Sequence, residues 1–596
     1  MGMIFLIKLF GFLKQYTLSI IAIVLLIFTQ VLANLYLPTL MADIVDKGIS
    51  QKDVVQTISF LGYSGSFKGV DYILRIGVIM LIISAGGVIC SVVSAYLSSK
   101  TAVGLGRIIR NKLFTKVEGF SLHEFDKVGT ATLITRTTND VTQVQTATVM
   151  IFSIMLFAPL TAVGGIVMAL REDTALTWIF AVVIPLLGII IGITLKFAMP
   201  LFKMMQVKID KLNLVLRESL TGIRVVRAFN RIDTEKVRFD DANTDLMDNA
   251  IKVNKIMAFL LPIMMMIMNV TTVAIIWFGG KRIDAGSMEV GSLIAFMQYG
   301  MQILFGFLML AMVFIMIPRA QASAIRINEV LEMQPEIVDP KKFISADSQS
   351  GYVEFKDVTF SYPGADQPAI SNITFSTRPG EATAIIGGTG SGKSTLINLI
   401  PRFYDATSGQ ILVDGVDVRE MSQESLRSKI GFVPQNTVLF TGTIAENIKY
   451  GKSNATTEEI QHAATVAQAS NFINETKEGY DHLIAQGGTN VSGGQKQRLS
   501  IARALVRKPE IYIFDDSFSA LDFKTDAKLR AALKKETAES TVIIIAQRVA
   551  TVMDADRIIV IDDGAICGMG THKELLSSCK IYHEIVSSQL SEEELS

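Results

Sequence analysis

Long unbroken runs of apolar residues dominate the first half of the chain. A helix needs roughly 20 such residues to cross about 30 Å of hydrocarbon. Tyr16–Leu40, Tyr72–Ser98, Ala147–Leu170, Leu176–Pro200, Ile256–Gly279 and Leu293–Pro318 meet that length with almost no charge in their middles. Soluble cores rarely need six runs of this length, so the pattern predicts six transmembrane helices. Ahead of them, Ile4, Leu6, Leu9, Phe10, Phe12 and Leu13 suit an interfacial helix leading into the first span. Lys8 among these apolar residues, with no small-residue cleavage site after the first run, argues against a cleavable signal.

Between the runs, cations are unevenly spread. Lys100–Thr146 carries Arg107, Arg110, Lys112, Lys116, Lys127 and Arg136, and Leu201–Lys255 carries Lys203, Lys208, Lys211, Arg217, Arg224, Arg227 and others. The opposite side offers Lys47, Lys52, Lys68, Arg171, Lys281 and Arg282. Positive loops stay in the cytoplasm, which places both long loops and both termini inside a cytoplasmic membrane. Apolar residues recur at helical spacing through Val207–Val226, so the spans are expected to continue into the cytoplasm as rods.

Few polar residues interrupt the spans: Gln30, Asn34, Asn269, Gln298 and Gln302. Such amides join helices by hydrogen bonds or line a substrate cavity, and the sequence leaves both open. No intramembrane Asp or Glu pair offers an ion relay, so energy for transport must come from elsewhere in the chain. The last two spans are rich in Met and Phe (Met264, Met265, Met266, Phe296, Met312 among them), which suits either a promiscuous surface or lipid-facing filler.

After Pro318 the pattern changes. Arg319–Ser350 is mixed and polar, ending in a linker at Lys341–Ser350, and from Gly351 strand and helix patterns alternate. The expected organisation is an interfacial helix (1–15), a membrane domain (16–320), a connector (321–350) and an α/β domain (351–590). Composition agrees with a half-membrane chain. Of 596 residues 50% are hydrophobic and 19% charged, and mean hydropathy is +0.41. Lys+Arg and Asp+Glu are each 56, so no basic field points to nucleic acid. Three cysteines, Cys90, Cys567 and Cys579, cannot make a disulfide scaffold.

In the second half, Gly387-Gly388-Thr389-Gly390-Ser391-Gly392-Lys393-Ser394-Thr395 fits the phosphate-binding pattern G-x-x-x-x-G-K-[ST]. The buried-strand run Ala382–Ile386 precedes it and Leu396–Leu399 opens a helix after it. Glycines let backbone N–H groups turn toward phosphates, Lys393 reaches the β- and γ-phosphates, and the Ser394 hydroxyl ligates Mg²⁺. A second apolar strand, Ile511–Phe514, ends in Asp515 and Asp516, and Asp515 suits the Mg²⁺-organising position. ATP and Mg²⁺ are therefore the expected cofactors.

On these residues the chain resembles one half of an ATP-binding cassette exporter along nearly its whole length. Val491-Ser492-Gly493-Gly494-Gln495 matches the family signature LSGGQ with Val for Leu, and Gly431–Gln435 matches the Q-loop. Ser519–Asp522 matches the D-loop, and Tyr362 in Phe360–Pro363 the adenine-stacking tyrosine. The resemblance implies two nucleotide-binding domains closing head to tail, each ATP lying between the Walker motifs of one chain and the signature of the other. It implies roles for Gln435 at Mg²⁺ and for Ser492, Gly493, Gly494 and Gln495 at the partner's ATP. It also implies coupling helices near Ser121–Lys127 and Ala228–Arg238.

Three departures carry information. The residue after Asp515, a glutamate in efficient hydrolysers of the family, is Asp516, one methylene shorter. The switch histidine is replaced by Gln547, which cannot titrate near neutral pH. Gln486 stands upstream of the signature where exporters usually carry glutamate. This pattern resembles the degenerate-site half of bacterial heterodimeric multidrug exporters. The expected function is ATP-driven export of amphiphilic compounds in partnership with a second half-transporter. Lipid, peptide or siderophore transport, or a nucleotide-sensing regulatory subunit, are the alternatives.

Overall fold

The computed structural model describes residues 2–60, 63–344 and 351–589. The chain divides into two compact units, Met1–Glu118 with Ala131–Met333, and Gly119–Thr130 with Gln334–Ser596. Of the linker Lys341–Ser350, residues 345–350 lie outside the described residues.

The first unit is built from helices far longer than a bilayer requires. Those long and apolar enough to cross a membrane are Ile4–Ser50, Gly69–Glu118, Thr130–Glu172, Trp178–Thr221, Ile232–Asp284 and Val290–Leu310, the last continuing to Glu332. Gly69–Glu118 has 50 residues, about 75 Å at 1.5 Å per residue. Its buried positions Ser94, Ser98, Thr101, Ala102, Leu105, Ile109 and Leu113 recur every three or four residues, while Leu81, Val88, Ile89 and Val92 are exposed. An outward apolar band of this kind is what lipid covers. The Met- and Phe-rich spans divide the same way: Met264 and Phe296 are buried, Met265 and Met266 exposed. The Met312 side chain lies outside what is described.

The N-terminal helix Gly2–Phe10 buries Leu6 and Leu9 and exposes Ile4 and Ile7. It is tied to the end of the last long helix by Asn328 Nδ2 donating to the Phe5 carbonyl (3.1 Å) and by Lys8 with Glu332 (2.7 Å).

Polar groups inside the bundle join helices. Gln302 Nε2 donates to the Asn34 carbonyl at 3.3 Å. Tyr299, which the sequence did not single out, is fully buried. Its hydroxyl lies 2.7 Å from Thr39 Oγ1 and donates to the Leu35 carbonyl at 3.0 Å. Tyr299→Phe should lower stability by about 0.6 to 1.7 kcal/mol, read as a lower thermal midpoint in nanodiscs. Buried Asp140 is ion-paired with Arg326 and accepts from Ser323 Oγ at 2.9 Å.

Two features depart from the linear pattern. A β-hairpin pairs Gln56–Phe60 with Tyr63–Phe67 between the first two long helices, and its Ile58 packs with Leu40, Tyr72 and Ile76. The second short helix is Ile223–Ala228, about a turn before the one expected near Ala228–Arg238. The reason is local. The preceding helix stops at Gly222, where a Cβ would meet the Glu218 carbonyl at 2.9 Å. The chain then reverses at Asn230, which adopts φ 49°, before the next long helix starts at Ile232.

The second unit holds the α/β domain. Its central sheet contains β1 (Ala382–Gly387), β2 (Ile430–Val433), β3 (Ile511–Asp515), β4 (Thr541–Ile545), β5 (Arg557–Asp562) and β6 (Ala565–Gly570), in the order β6-β5-β1-β4-β3-β2. All neighbours are parallel except the β5–β6 pair. Near-continuous apolar sequences such as Ile511–Phe514 fit strands covered on both faces. A four-stranded sheet, in the order Ile370–Thr377, Val353–Phe360, Ser408–Val413 and Val416–Asp417, packs its buried side chains into a common core with β1 and β3.

Candidate nucleotide site

The site forms where parallel strands end. β1 runs into the loop Gly388–Gly392, followed by the helix Lys393–Leu399. Gly390 and Gly392 have φ of 83° and 97°, conformations that side chains other than glycine's resist. At Gly392 a Cβ would also meet Ile370 Cγ2 at 2.6 Å and the Ala369 carbonyl at 2.7 Å.

The loop folds around the lysine. Lys393 Nζ donates to the carbonyls of Gly387 (3.0 Å) and Gly388 (2.6 Å) and lies 3.4 Å from Ser391 Oγ. Burial pulls its ammonium below the ordinary range, against the opposing charges of Asp515 and Asp516. Ser394 Oγ donates to Asp515 Oδ1 at 3.1 Å. Burial pushes the Asp515 carboxyl up, partly offset by that hydrogen bond. A hydroxyl and a carboxylate side by side are the hard oxygen donors Mg²⁺ takes, with phosphate and water completing its octahedron. The residues present therefore fit a magnesium nucleotide.

Asp516 follows at φ 45°, its N–H donating to the Ile545 carbonyl at 3.0 Å. Gln435 Nε2 reaches Asp516 Oδ2 at 3.4 Å. Burial raises the Asp516 carboxyl, and Gln435 and Ser519 work against it. Gln547 lies in the turn after β4, exposed to solvent.

Tyr362 stands beside the loop, its hydroxyl 3.0 Å from Thr395 Oγ1. Its ring meets Phe360 (4.9 Å) and Tyr404 (5.5 Å) edge to face. Tyr404 has no motif to announce it. Burial first, then the Asp126 carboxylate, pushes its phenol up to about 12. Asp126 belongs to the short helix Leu122–Val128, the first of the two expected cytoplasmic helices. That helix is capped by Ser121, which gives Glu124 two hydrogen bonds of 2.7 and 2.6 Å. Glu124 Oε1 also accepts from the Glu336 N–H at 3.0 Å. Burial alone would raise the Glu124 carboxyl, but these hydrogen bonds hold it below the usual range.

The signature residues form a separate surface. Ser492 caps the helix Gly493–Leu505 in a reciprocal box with Gln495, with bonds of 2.8 and 3.3 Å. A Cβ on Gly494 would meet the Ala520 carbonyl at 3.0 Å, and the Ala520 N–H donates to Gln497 Oε1 at 3.2 Å. The signature thus rests on the loop Ser519–Asp522, whose Asp522 caps the helix Phe523–Glu536 by accepting from the Thr525 N–H at 2.9 Å. Among the described residues, Ser492–Gln495 make no hydrogen bond to the Lys393 loop.

A family model described as "ABC transporter transmembrane region" matches residues 19–308, and one described as "ABC transporter" matches residues 370–519. An uncharacterised ABC transporter ATP-binding protein of Mycobacterium tuberculosis (strain CDC 1551 / Oshkosh) is 43% identical over 97% of this chain and 97% of its own length. The chain belongs to the ABC transporter family. Another member, the ATP-dependent lipid A-core flippase of Syntrophus aciditrophicus (strain SB), is 34% identical over 88% of this chain and 86% of its own. Among solved structures, a bacterial Atm1-family ABC exporter with ATP bound superposes with a TM-score of 0.79 at 26% identity, covering 97% of this chain and 99% of that one. This ABC transporter therefore has the exporter architecture, a six-helix membrane domain fused to a C-terminal nucleotide-binding domain.

Proposed function

We propose that this ABC transporter is the degenerate-site half of a heterodimeric exporter of amphiphilic compounds, embedded in the cytoplasmic membrane with both termini inside. The observation that carries the reading is the unequal state of its two ends. Lys393 folded into its glycine loop, and Ser394 paired with Asp515, offer the groups that phosphate and a metal take. The positions that serve hydrolysis are Asp516, touched only weakly by Gln435 at 3.4 Å, and the non-titrating Gln547. Ser394, Asp515 and Gln435 would hold Mg²⁺, which supplies charge neutralisation at the β- and γ-phosphates.

In this reading Tyr362 stacks the adenine, and Lys393 with the loop Gly387–Gly392 and Thr395 grips the phosphates. Asp516 is too short to orient the attacking water well. A misplacement of about 1 Å costs on the order of 100-fold in rate. Ser492, Gly493, Gly494 and Gln495, with Asp522 nearby, complete the competent site of the partner, where most hydrolysis occurs. ATP binding closes the pair, and hydrolysis at the partner site resets it.

The purified chain alone should bind ATP and turn it over slowly, with fast turnover appearing when the partner half is added. Robust hydrolysis by the chain paired with itself would falsify the division of labour. A lipid as the amphiphile is the second reading, favoured by the relative named as a lipid A-core flippase. Vesicles holding the pair and either a labelled lipid or a labelled dye distinguish the two substrates.

A further inference from the structure

The turn that carries Gln547 is held from outside its own segment. Beyond it lies a helix of only four residues, Val549–Val552, whose first N–H groups, like those of any helix, have no partner within it. Gln589 supplies the missing partner. Its Oε1 accepts from the Val549 N–H at 2.8 Å, and its Nε2 donates to the Gln547 carbonyl at 2.9 Å. One side-chain amide therefore bridges both sides of the turn, using its acceptor on one and a donor on the other. At neutral pH, where glutamate is ionised and only accepts and lysine only donates, glutamine alone among side chains of this length offers that combination.

Gln589 is itself anchored. Its N–H donates to the Val586 carbonyl at 3.0 Å, just past the helix Lys580–Ser587. That helix buries Tyr582 and Val586 in one cluster with Val549, Val552, Ile558 and Val560. The Gln547 side chain, by contrast, is exposed and makes no hydrogen bond among the described residues. The backbone that Gln589 grips sets where this side chain leaves the turn.

We propose that Gln589 is a positioning residue for Gln547, so that docking of the C-terminal helix sets how firmly this chain holds the γ-phosphate. The proposal rests on the reading of Gln547 as the switch residue together with the premise that its amide donates to the γ-phosphate, and the test separates the two. ATP and ADP affinities are measured on the full-length chain carrying Gln589→Met, Gln589→Glu or Gln547→Ala, and on the Gln589→Met/Gln547→Ala double variant. Methionine keeps length and loses both bonds; glutamate keeps the acceptor for Val549 and sets an oxygen against the Gln547 carbonyl.

Gln547→Ala should weaken ATP roughly 10- to 100-fold and leave ADP within about twofold, the worth of one hydrogen bond to a charged group. Gln589→Met and Gln589→Glu should reproduce most of that split, and the double variant should be no worse than Gln547→Ala alone. A purely structural cap predicts equal losses for ATP and ADP or none, with additivity. That result in both Gln589 variants, alongside a clear split in Gln547→Ala, overturns the positioning role. No split in Gln547→Ala overturns the premise and the proposal with it. Should Gln589→Met fail to fold, Gln589→Glu carries the same comparison.

Discussion

The double substitution Asp516→Glu with Gln547→His is expected to raise ATP turnover at this chain's own Walker site by roughly 100-fold, the penalty assigned to misplacing a catalytic group by about 1 Å. The backbone at Asp516 is fixed by its N–H bond to Ile545, so the added methylene advances the carboxylate without moving the strand. Histidine at 547 adds a donor that is charged or neutral according to pH, with an ordinary pKa of about 6.5. Because burial raises the Asp516 carboxyl, the gain should fade as pH drops, since a protonated carboxyl is a weaker acceptor for the attacking water and cannot take its proton. The measurement is single-turnover hydrolysis by the heterodimer with the partner's Walker lysine removed, across pH. Unchanged turnover across that range would mean that the two residues are not what limits this site.

Lys393→Ala, and the better-shaped Lys393→Met, should cut ATP affinity roughly 10- to 100-fold, the value of hydrogen bonds to a charged group. The buried ammonium already points at the loop, where it donates to Gly387 and Gly388, so little reorganisation stands between it and a phosphate. Its depressed proton affinity, caused by burial, should be reversed by phosphate charge. ATP binding is therefore expected to weaken at alkaline pH in the native chain and to lose that dependence in Lys393→Met. Equilibrium binding of a fluorescent ATP analogue checks both. If transport by the heterodimer were untouched by either variant, even a binding role for this site would be untenable.

Much of this was legible in the chain because the causes are local. Six apolar runs announce themselves by length, and the phosphate loop by glycines whose positive φ no other residue takes cheaply. Pairing of Ser394 with Asp515 follows once the helix after β1 starts beside the end of β3, a parallel strand two positions away in the sheet. What escaped depends on partners distant in sequence. Asp140 and Arg326 are 186 residues apart, and Gln589 is 42 residues beyond Gln547. Tyr404 gains meaning only because Asp126, on the short helix Leu122–Val128, lies against it. The shifted second short helix was a matter of punctuation: Gly222 and Asn230 were readable breakers, but which would end the rod depended on backbone geometry.

The uninterrupted length of Gly69–Glu118 has a bearing on how such a chain can change over generations. One residue gained anywhere in a helix rotates everything beyond it by about 100° and advances it by about 1.5 Å. An insertion near Gly86 would swing the stripe from Ser98 to Leu113 off its neighbours and turn lipid-facing positions inward. Sequence drift here is therefore confined to exchange of side chains, whereas the hairpin at Gln56–Phe67 can absorb gains and losses without disturbing either rod.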